Sequence, residues 1–359
     1  MRKTWGLYDI ELETLPSKSS LSEARMEISF EFFRDSYSEQ VISIRSKLPR
    51  MKGLRVYAVD GDQLELPASE DVLNYDYRGF PCKNGKETHY PRMYYTSKVE
   101  VFSGIVTDVR ESNANDECKN AADMATCTES DSLTLYDRLH FSLRLAEAHG
   151  ASNSFYIARL KVGSRVLLQL QEFVQSKRKA KRVCIDGVFI RFLRVKNNKT
   201  GEWMYLATNL PRSFFKIREI QWLYWRRYDI ETVFRDLTAT HSLGVWHSTK
   251  LNGVLQEFYL HFYIHNCARY LILVGGGIEV AKDLKTGEYR RPNFKLLREY
   301  FTDNFKLLLH RKTEQLYVAV KFLIQKSMET RIYFSRLSPR QVKYSKNTYA
   351  SASLVPQRA

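Results

Sequence analysis

The segment Leu223–Thr238, LYWRRYDIETVFRDLT, sets the tightest constraint on this chain. It holds neither Gly nor Pro, and Tyr224, Arg227, Glu231 and Thr238 stand at offsets of 0, 3, 7 and 14. At roughly 3.6 residues per turn these four share one face of a helix. Upstream, Leu210-Pro211-Arg212-Ser213 offers Ser213 as an N-cap. A plain amphipathic helix with solvated charges accounts for the pattern. A carboxylate and a guanidinium aimed the same way beside a tyrosine also suit a metal-bound phosphodiester, provided other acids join Glu231.

Two aspartates upstream are candidates to join it. Leu54–Leu66 reads as a strand, a turn at Gly61-Asp62 and a second strand, with Asp60 closing the apolar run. Leu133–Tyr136 reads as a short buried strand that delivers Asp137. Two-metal phosphodiester chemistry needs three or four carboxylates around cations about 3.5–4 Å apart. Mg²⁺, for which Mn²⁺ substitutes, takes hard oxygen ligands. A strand-end Asp is commonly a turn or cap residue. The ordered trio Asp60, Asp137 and Glu231, with a β-rich stretch before the Glu, is the stronger signal.

Five regions follow along the chain. Residues 1–50 are mostly helical, with capping-box spacing at Ser20–Glu23. They suit either a DNA-end-binding module or a helical pair packed on the main domain. Residues 51–162 form the first part of an α/β core, with strands at Tyr94–Val109 and Phe155–Arg159 and helical stretches after Glu111 and at His140–His149. Residues 163–203 are a β-rich insertion, with a hairpin signal at Asn197–Gly201. Residues 204–274 complete the core with the Glu231 helix and a long helix from Asn252 to Val274, stopped by Gly275-Gly276-Gly277. Residues 275–359 are helical over Arg291–Ser335 and end in a basic tail, Gln341–Ala359.

Charge narrows the partner. Lys and Arg total 56 against 40 Asp and Glu, a net +16 that suits a polyanion such as nucleic acid. The cluster Lys177, Lys179 and Lys181 reads as a phosphate-contacting loop or a solvated turn. Five scattered cysteines without a Cys-x-x-Cys pair argue for a reducing cytosol and against a zinc knuckle. No apolar run reaches membrane length and no apolar leader opens the chain, so a cytoplasmic location is expected.

The motifs resemble those of bacterial insertion-sequence transposases of the Asp-Asp-Glu class, in the subgroup marked by Tyr-x2-Arg-x3-Glu-x6-Lys. Ala58-Val59-Asp60-Gly61 with Leu64–Pro67 resembles the first motif, and Tyr136-Asp137-Arg138 with Phe141-Ser142 the second. Ala207–Pro211 followed by Tyr224, Arg227 and Glu231 resembles the third, and Val254–Glu257 with Asn266–Arg269 the downstream helix. The resemblance implies an RNase H-like α/β core, a mixed β-sheet with flanking helices and a β-strand insertion before the Glu. It implies Mg²⁺ held by Asp60, Asp137 and Glu231, cleavage of transposon ends through a DNA hairpin, and joining of the 3′ hydroxyl to target DNA. Double-stranded DNA, both terminal inverted repeats and target, would be the substrate of a homodimer. Tyr224 and Arg227 would hold phosphates, with Arg138, Arg235 and Thr238 among the DNA contacts.

Three positions depart from that pattern. Thr238 stands where the signature has Lys, with Arg235 one turn earlier as a substitute. Leu139-His140 replaces Gly and an aromatic, and Asp62 replaces a Ser or Thr. A catalytically decayed DNA-binding derivative and a stand-alone RNase H-fold nuclease are the alternatives. Outside the trio, Glu257, His261 and His265 recur at helical spacing as packed polar residues or a metal stripe. Trp203, Trp225 and Trp246 suit either the core or stacking on a flipped base.

Overall fold

The strand Arg55–Glu65 (β1) runs straight through Gly61. The turn expected at Gly61-Asp62 does not form: Gly61 pairs with Thr96 and Asp62 with Tyr95 of the antiparallel strand Arg92–Glu100 (β2). Gly61 keeps an extended backbone, unlike the left-handed Gly53 and Gly104. Arg55 to Val59 are buried in succession, because β1 is central and covered on both faces. These statements come from a computed structural model, which describes residues 17–79, 90–162, 168–196 and 201–274, together with 290–291, 314, 318, 321–322 and 332–333.

Six further strands complete the sheet: Val106–Ser112 (β3), Ser132–Tyr136 (β4), Phe155–Arg159 (β5), Ala180–Ile185 (β6), Val188–Lys196 (β7) and Trp203–Thr208 (β8). Their order is β3-β2-β1-β4-β5-β8-β7-β6. Only β1–β4 and β4–β5 pair in parallel. The stretch after residue 163 therefore supplies strands that extend the same sheet beyond β5. Asp186 and Gly187, at φ 50° and 83°, turn β6 into β7 with the twist that two-residue hairpins favour. The Asn197–Gly201 signal falls on the β7–β8 link, of which residues 197–200 lie outside the described residues.

Nine helices are described: Lys18–Glu27 (α1), Phe30–Ile44 (α2), Glu70–Asn74 (α3), Glu117–Thr126 (α4), Leu143–Ala151 (α5), Leu168–Gln175 (α6), Ile217–Arg226 (α7), Asp229–Arg235 (α8) and Leu251–Val274 (α9). Side-chain alternation along the strands divides the core into two layers. Val56, Ala58, Leu133, Leu135 and Leu206 pack with Tyr37, Leu223, Ile230, Phe258 and Phe262 of α2, α7, α8 and α9. Val59, Tyr136, Tyr156 and Ala207 pack with Ala121, Leu145 and Phe173 of α4, α5 and α6.

Helix starts differ from expectation where local polar groups offer better caps. The Ser17 hydroxyl accepts the Ser20 N–H at 3.0 Å, so α1 starts before the Ser20–Glu23 box. Ser29 caps α2 and separates it from α1. The α7 helix begins after Lys216, whose N–H donates to the Glu219 carboxylate at 2.7 Å, three residues past Ser213. Both α1 and α2 lie against α9: Arg25 pairs with Glu257 at 2.7 Å, and the Tyr37 ring meets Tyr259 and Phe262. Glu257, His261 and His265 serve different partners, with His265 bonded to the Gly104 carbonyl and His261 to that of Glu257. Arg290-Arg291 (β9) and Ile332-Tyr333 (β10) pair as strands at the ends of a stretch expected to be helical. Gly275–Gly277 and the Gln341–Ala359 tail lie outside the described residues.

Phe262 is fully buried, its ring 5.0 Å from Phe258 and 5.9 Å from Tyr95. Phe262→Ala should lower stability by about 3–5 kcal/mol through the cavity it leaves. Urea unfolding should show a lower midpoint.

Candidate active site

The parallel ladder of β1 and β4 runs from Arg55–Ser132 to Ala58–Leu135. Two residues further along each strand are Asp60 and Asp137, side by side at the end of the ladder. Both continue the face of Ala58 and Leu135, under α7, α8 and α9. The aspartates that the sequence singles out are thus neighbours across one strand boundary.

The third acid arrives through a bent helix. A single helix over Leu223–Thr238 is not what forms: α7 ends at Arg226, α8 starts at Asp229, and Arg227-Tyr228 lie in a tight turn between them. The turn is closed by Arg227 N–H to the Tyr224 carbonyl (3.1 Å) and Tyr228 N–H to that of Trp225 (3.3 Å), bonds of three-residue reach. Aromatic stacking holds it, with Trp225 against Tyr228 at 5.5 Å and the Arg227 guanidinium over Tyr228 at 4.3 Å. The turn directs Arg227 inward. Its Nη1 donates to Asp60 Oδ2 at 3.0 Å and its Nη2 meets Glu231 Oε1 at 3.5 Å. Glu231 therefore joins Asp60 through a guanidinium.

Asp137 has a different counter-ion. His140 is buried, and its Nδ1 lies 2.7 Å from Asp137 Oδ1. Its Nε2 lies 3.1 Å from Glu117 Oε1, an ion-pair distance without hydrogen-bond alignment. Glu117 opens α4 and accepts the Gly61 N–H at 2.9 Å. A Cβ on Gly61 would stand 2.7 Å from the Glu117 carboxyl carbon, so glycine makes room for this acid. Sequence reasoning missed Glu117, which sits in a stretch whose only signal is acidity. It noted His140 only as a departure from a pattern.

The electrostatics follow from burial. Burial pushes the Asp60 carboxyl up to about 6, against the pull of Arg227 and with the help of the Glu117 charge. For Asp137, burial is outweighed by the hydrogen bonds from His140 and from the Leu139 N–H, which hold it down at about 2. Burial also opposes the His140 charge, but Asp137 and Glu117 raise the imidazole to about 9. Arg227 is pushed above its usual range, burial again losing to Asp60.

The expected DNA contacts divide. Tyr224 is only 1% exposed and packs in the core, within reach of the charges of Arg227 and Asp137. Arg227 faces carboxylates instead of solvent. Arg138 and Arg235 are exposed. Thr238 lies in a π-helical turn, Asp236–Thr240, and its hydroxyl donates to the Phe234 carbonyl at 2.9 Å. Lys177 and Lys179 are exposed near β6, at the opposite end of the sheet from β3, and Lys181 pairs with Glu172 at 2.9 Å. Asp62, within β1, accepts its neighbour Gln63's N–H at 2.8 Å and the Tyr95 hydroxyl at 3.4 Å.

In kind, the donors suit a hard divalent cation. They are carboxylates, Asp60 is desolvated, and Arg227 already bridges Asp60 and Glu231 with positive charge. Among the described residues, however, no three His, Cys, Asp or Glu side chains gather closely enough to hold a metal. Arg227 would have to withdraw for one cation to reach both Asp60 and Glu231.

A mixed sheet whose first three strands are antiparallel and whose first, fourth and fifth run parallel, with helices on both faces, is an RNase H-like α/β core. A family model described as a transposase DDE domain matches residues 52–267, and the chain belongs to that family. Among solved structures, one similar to it is the synaptic complex of piggyBac transposase with hairpin DNA. The two chains are 12% identical with a TM-score of 0.44, and the match covers 83% of this chain and 61% of the other. The chain thus spans less than two thirds of that protein. No curated protein matches the sequence. Among the described residues, no helix is long and apolar enough to cross a membrane.

Because the folded imidazole of His140 titrates near 9 and an ordinary one near 6.5, its ion pairs stabilise the fold fully below about pH 6.5. That contribution, on the order of 2–3 kcal/mol, should disappear as pH rises through 9. Metal-free protein, unfolded with urea between pH 7 and 9.5, should show this decline. His140→Gln should flatten it.

Proposed function

We propose that the protein is a DNA transposase that cuts transposon ends and joins them to target DNA, with Asp60, Asp137 and Glu231 as the ligands of Mg²⁺ or Mn²⁺. The observation that carries this reading is the register of β1 and β4, which sets Asp60 beside Asp137 on the face where Arg227 reaches Asp60 and Glu231. Membership of the transposase DDE-domain family supports the reaction class.

The residues divide the work. Asp60 and Asp137 would supply hard oxygens from the sheet, and Glu231 would supply one from α8 through a half-exposed side chain. A bound divalent cation would activate water or a 3′ hydroxyl and take up charge on the leaving oxygen. Arg227, once released from the carboxylates, offers a planar fork matched to two phosphate oxygens. Arg138 and Arg235 are solvent-facing cations near the site and suit the DNA backbone on either side. Lys177, Lys179 and Lys181 lie by β6, four strands over from β4, and suit DNA that extends beyond the site. A homodimer on paired terminal inverted repeats completes the proposal.

One observation favours a second reading. With Arg227 between Asp60 and Glu231, the acids are neutralised without metal, as they would be in a DNA-binding protein that no longer cuts. A labelled DNA fragment carrying the element's ends, incubated with Mg²⁺ or Mn²⁺, separates the two. Wild type should nick the fragment, and Glu231→Gln should fall to the level of the protein-free control while still retarding the DNA in a gel. Retardation without nicking by wild type in either metal establishes the binding-only reading instead.

A further inference from the structure

We propose that Glu117 and His140 form a positioning unit that orients Asp137 toward the cation, a role resting on the assignment of Asp60, Asp137 and Glu231 as metal ligands. The Asp137 side chain accepts two hydrogen bonds, from His140 Nδ1 at 2.7 Å and from the Leu139 N–H at 2.6 Å, and both land on Oδ1. Two bonds on one oxygen fix the plane of the carboxylate and leave Oδ2 as the oxygen that would serve a cation. A lone strand-end Asp, free to rotate about its side-chain bonds, would lose entropy on ordering that this one has already lost.

The imidazole is in turn held by Glu117. Its Nε2 lies 3.1 Å from Glu117 Oε1, and its side chain is completely shielded from solvent beside the Tyr136 ring. Glu117 is tied to the first motif as well, since the same Oε1 takes the N–H of Gly61, the residue after Asp60. The unit thus links the backbone at Asp60 to the side chain at Asp137. Partners one shell out from a metal orient its ligands, and their loss typically costs 10–100-fold in metal affinity. An acid at Glu117 suits the first turn of α4 and accepts the Gly61 N–H. It opens a helix with Asp116 before it, and its carboxylate reaches past the helix end to the site.

The test is Mn²⁺ binding by the full-length protein, followed by electron paramagnetic resonance of free and bound ion, with unfolding measured in parallel in chelator. Glu117→Gln keeps the size of the side chain and its acceptor for the Gly61 N–H. It should weaken Mn²⁺ binding about tenfold or more and change the bound-ion spectrum, while the metal-free protein stays folded with a lower unfolding midpoint, since the charge facing His140 is lost. His140→Asn keeps a donor at the Nδ1 position but cannot reach Glu117. In that background Glu117→Gln should have no further effect on affinity, because its influence passes through the imidazole. Wild type that binds Mn²⁺, with Glu117→Gln binding within twofold of it, overturns the unit and leaves the ligand assignment standing. Wild type that binds no Mn²⁺ overturns both. If His140→Asn does not fold, Glu117→Gln alone decides.

Discussion

The parallel pairing of β1 with β4 is the constraint on which the rest depends. It brings together two segments separated by two strands and two helices, and it sets their register so that Asp60 and Asp137 end the ladder together. Because side chains alternate with a period of two, a slip by one residue would turn Asp60 to the opposite face. The apolar neighbours prevent that slip. Val56 and Ala58 must meet the layer of α7, α8 and α9, while Val59 meets that of α4 and α5. The core therefore fixes the position of the acids, and stability and site geometry share one cause.

Gathering acids at a half-buried strand end is costly, and the structure answers with two cations of different character. Asp60 and Glu231 share Arg227, while Asp137 and Glu117 share His140. Four carboxylates against two cations leave a deficit of positive charge, which agrees with burial and the Glu117 charge raising Asp60 while Asp137, better bonded, stays low. These pairs differ from those at the surface, such as Arg34 with Glu31, where water screens the charges and little stability results. Removing one partner of the buried set leaves the other desolvated and unmatched. The acids of the site are consequently interdependent, and a change at one is felt at the others.

Much of this was legible in the sequence, and the failures have physical causes. The apolar run ending at Asp60 and the short strand ending at Asp137 are strong because buried strands need consecutive apolar residues, and both appear where expected. The Gly61-Asp62 turn was misread because Gly in a strand has two explanations, a turn or a close approach, and here Glu117 supplies the approach. Glu117 was invisible because its role arises from a contact across 56 positions of sequence. The bend at Arg227-Tyr228 escaped notice because it contains neither Gly nor Pro. Trp225–Tyr228 stacking and the Arg227–Asp60 ion pair accompany it, and the second spans 167 positions of sequence.

That bend also explains how a run of helical spacing can serve chemistry without being one helix. In a straight helix Tyr224, Arg227 and Glu231 would share an environment. With the turn after Arg226, the first is in the core, the second reaches Asp60 and the third stays largely in solvent. The three residues have separate surroundings: Tyr224 anchors α7 in the core, Arg227 carries charge to the sheet, and Glu231 stands half-exposed against Arg227. The π-helical turn after Arg235 continues the same logic. Arg269 of α9 holds Asp236 at its start, and Leu237 is buried while Thr238 faces out. The short helix bearing Glu231 is therefore pinned at both ends, by Tyr228 stacking before it and by Asp236 after it. These contacts hold the backbone at both ends of α8 while the Glu231 side chain stands half-exposed between them, beside Arg227.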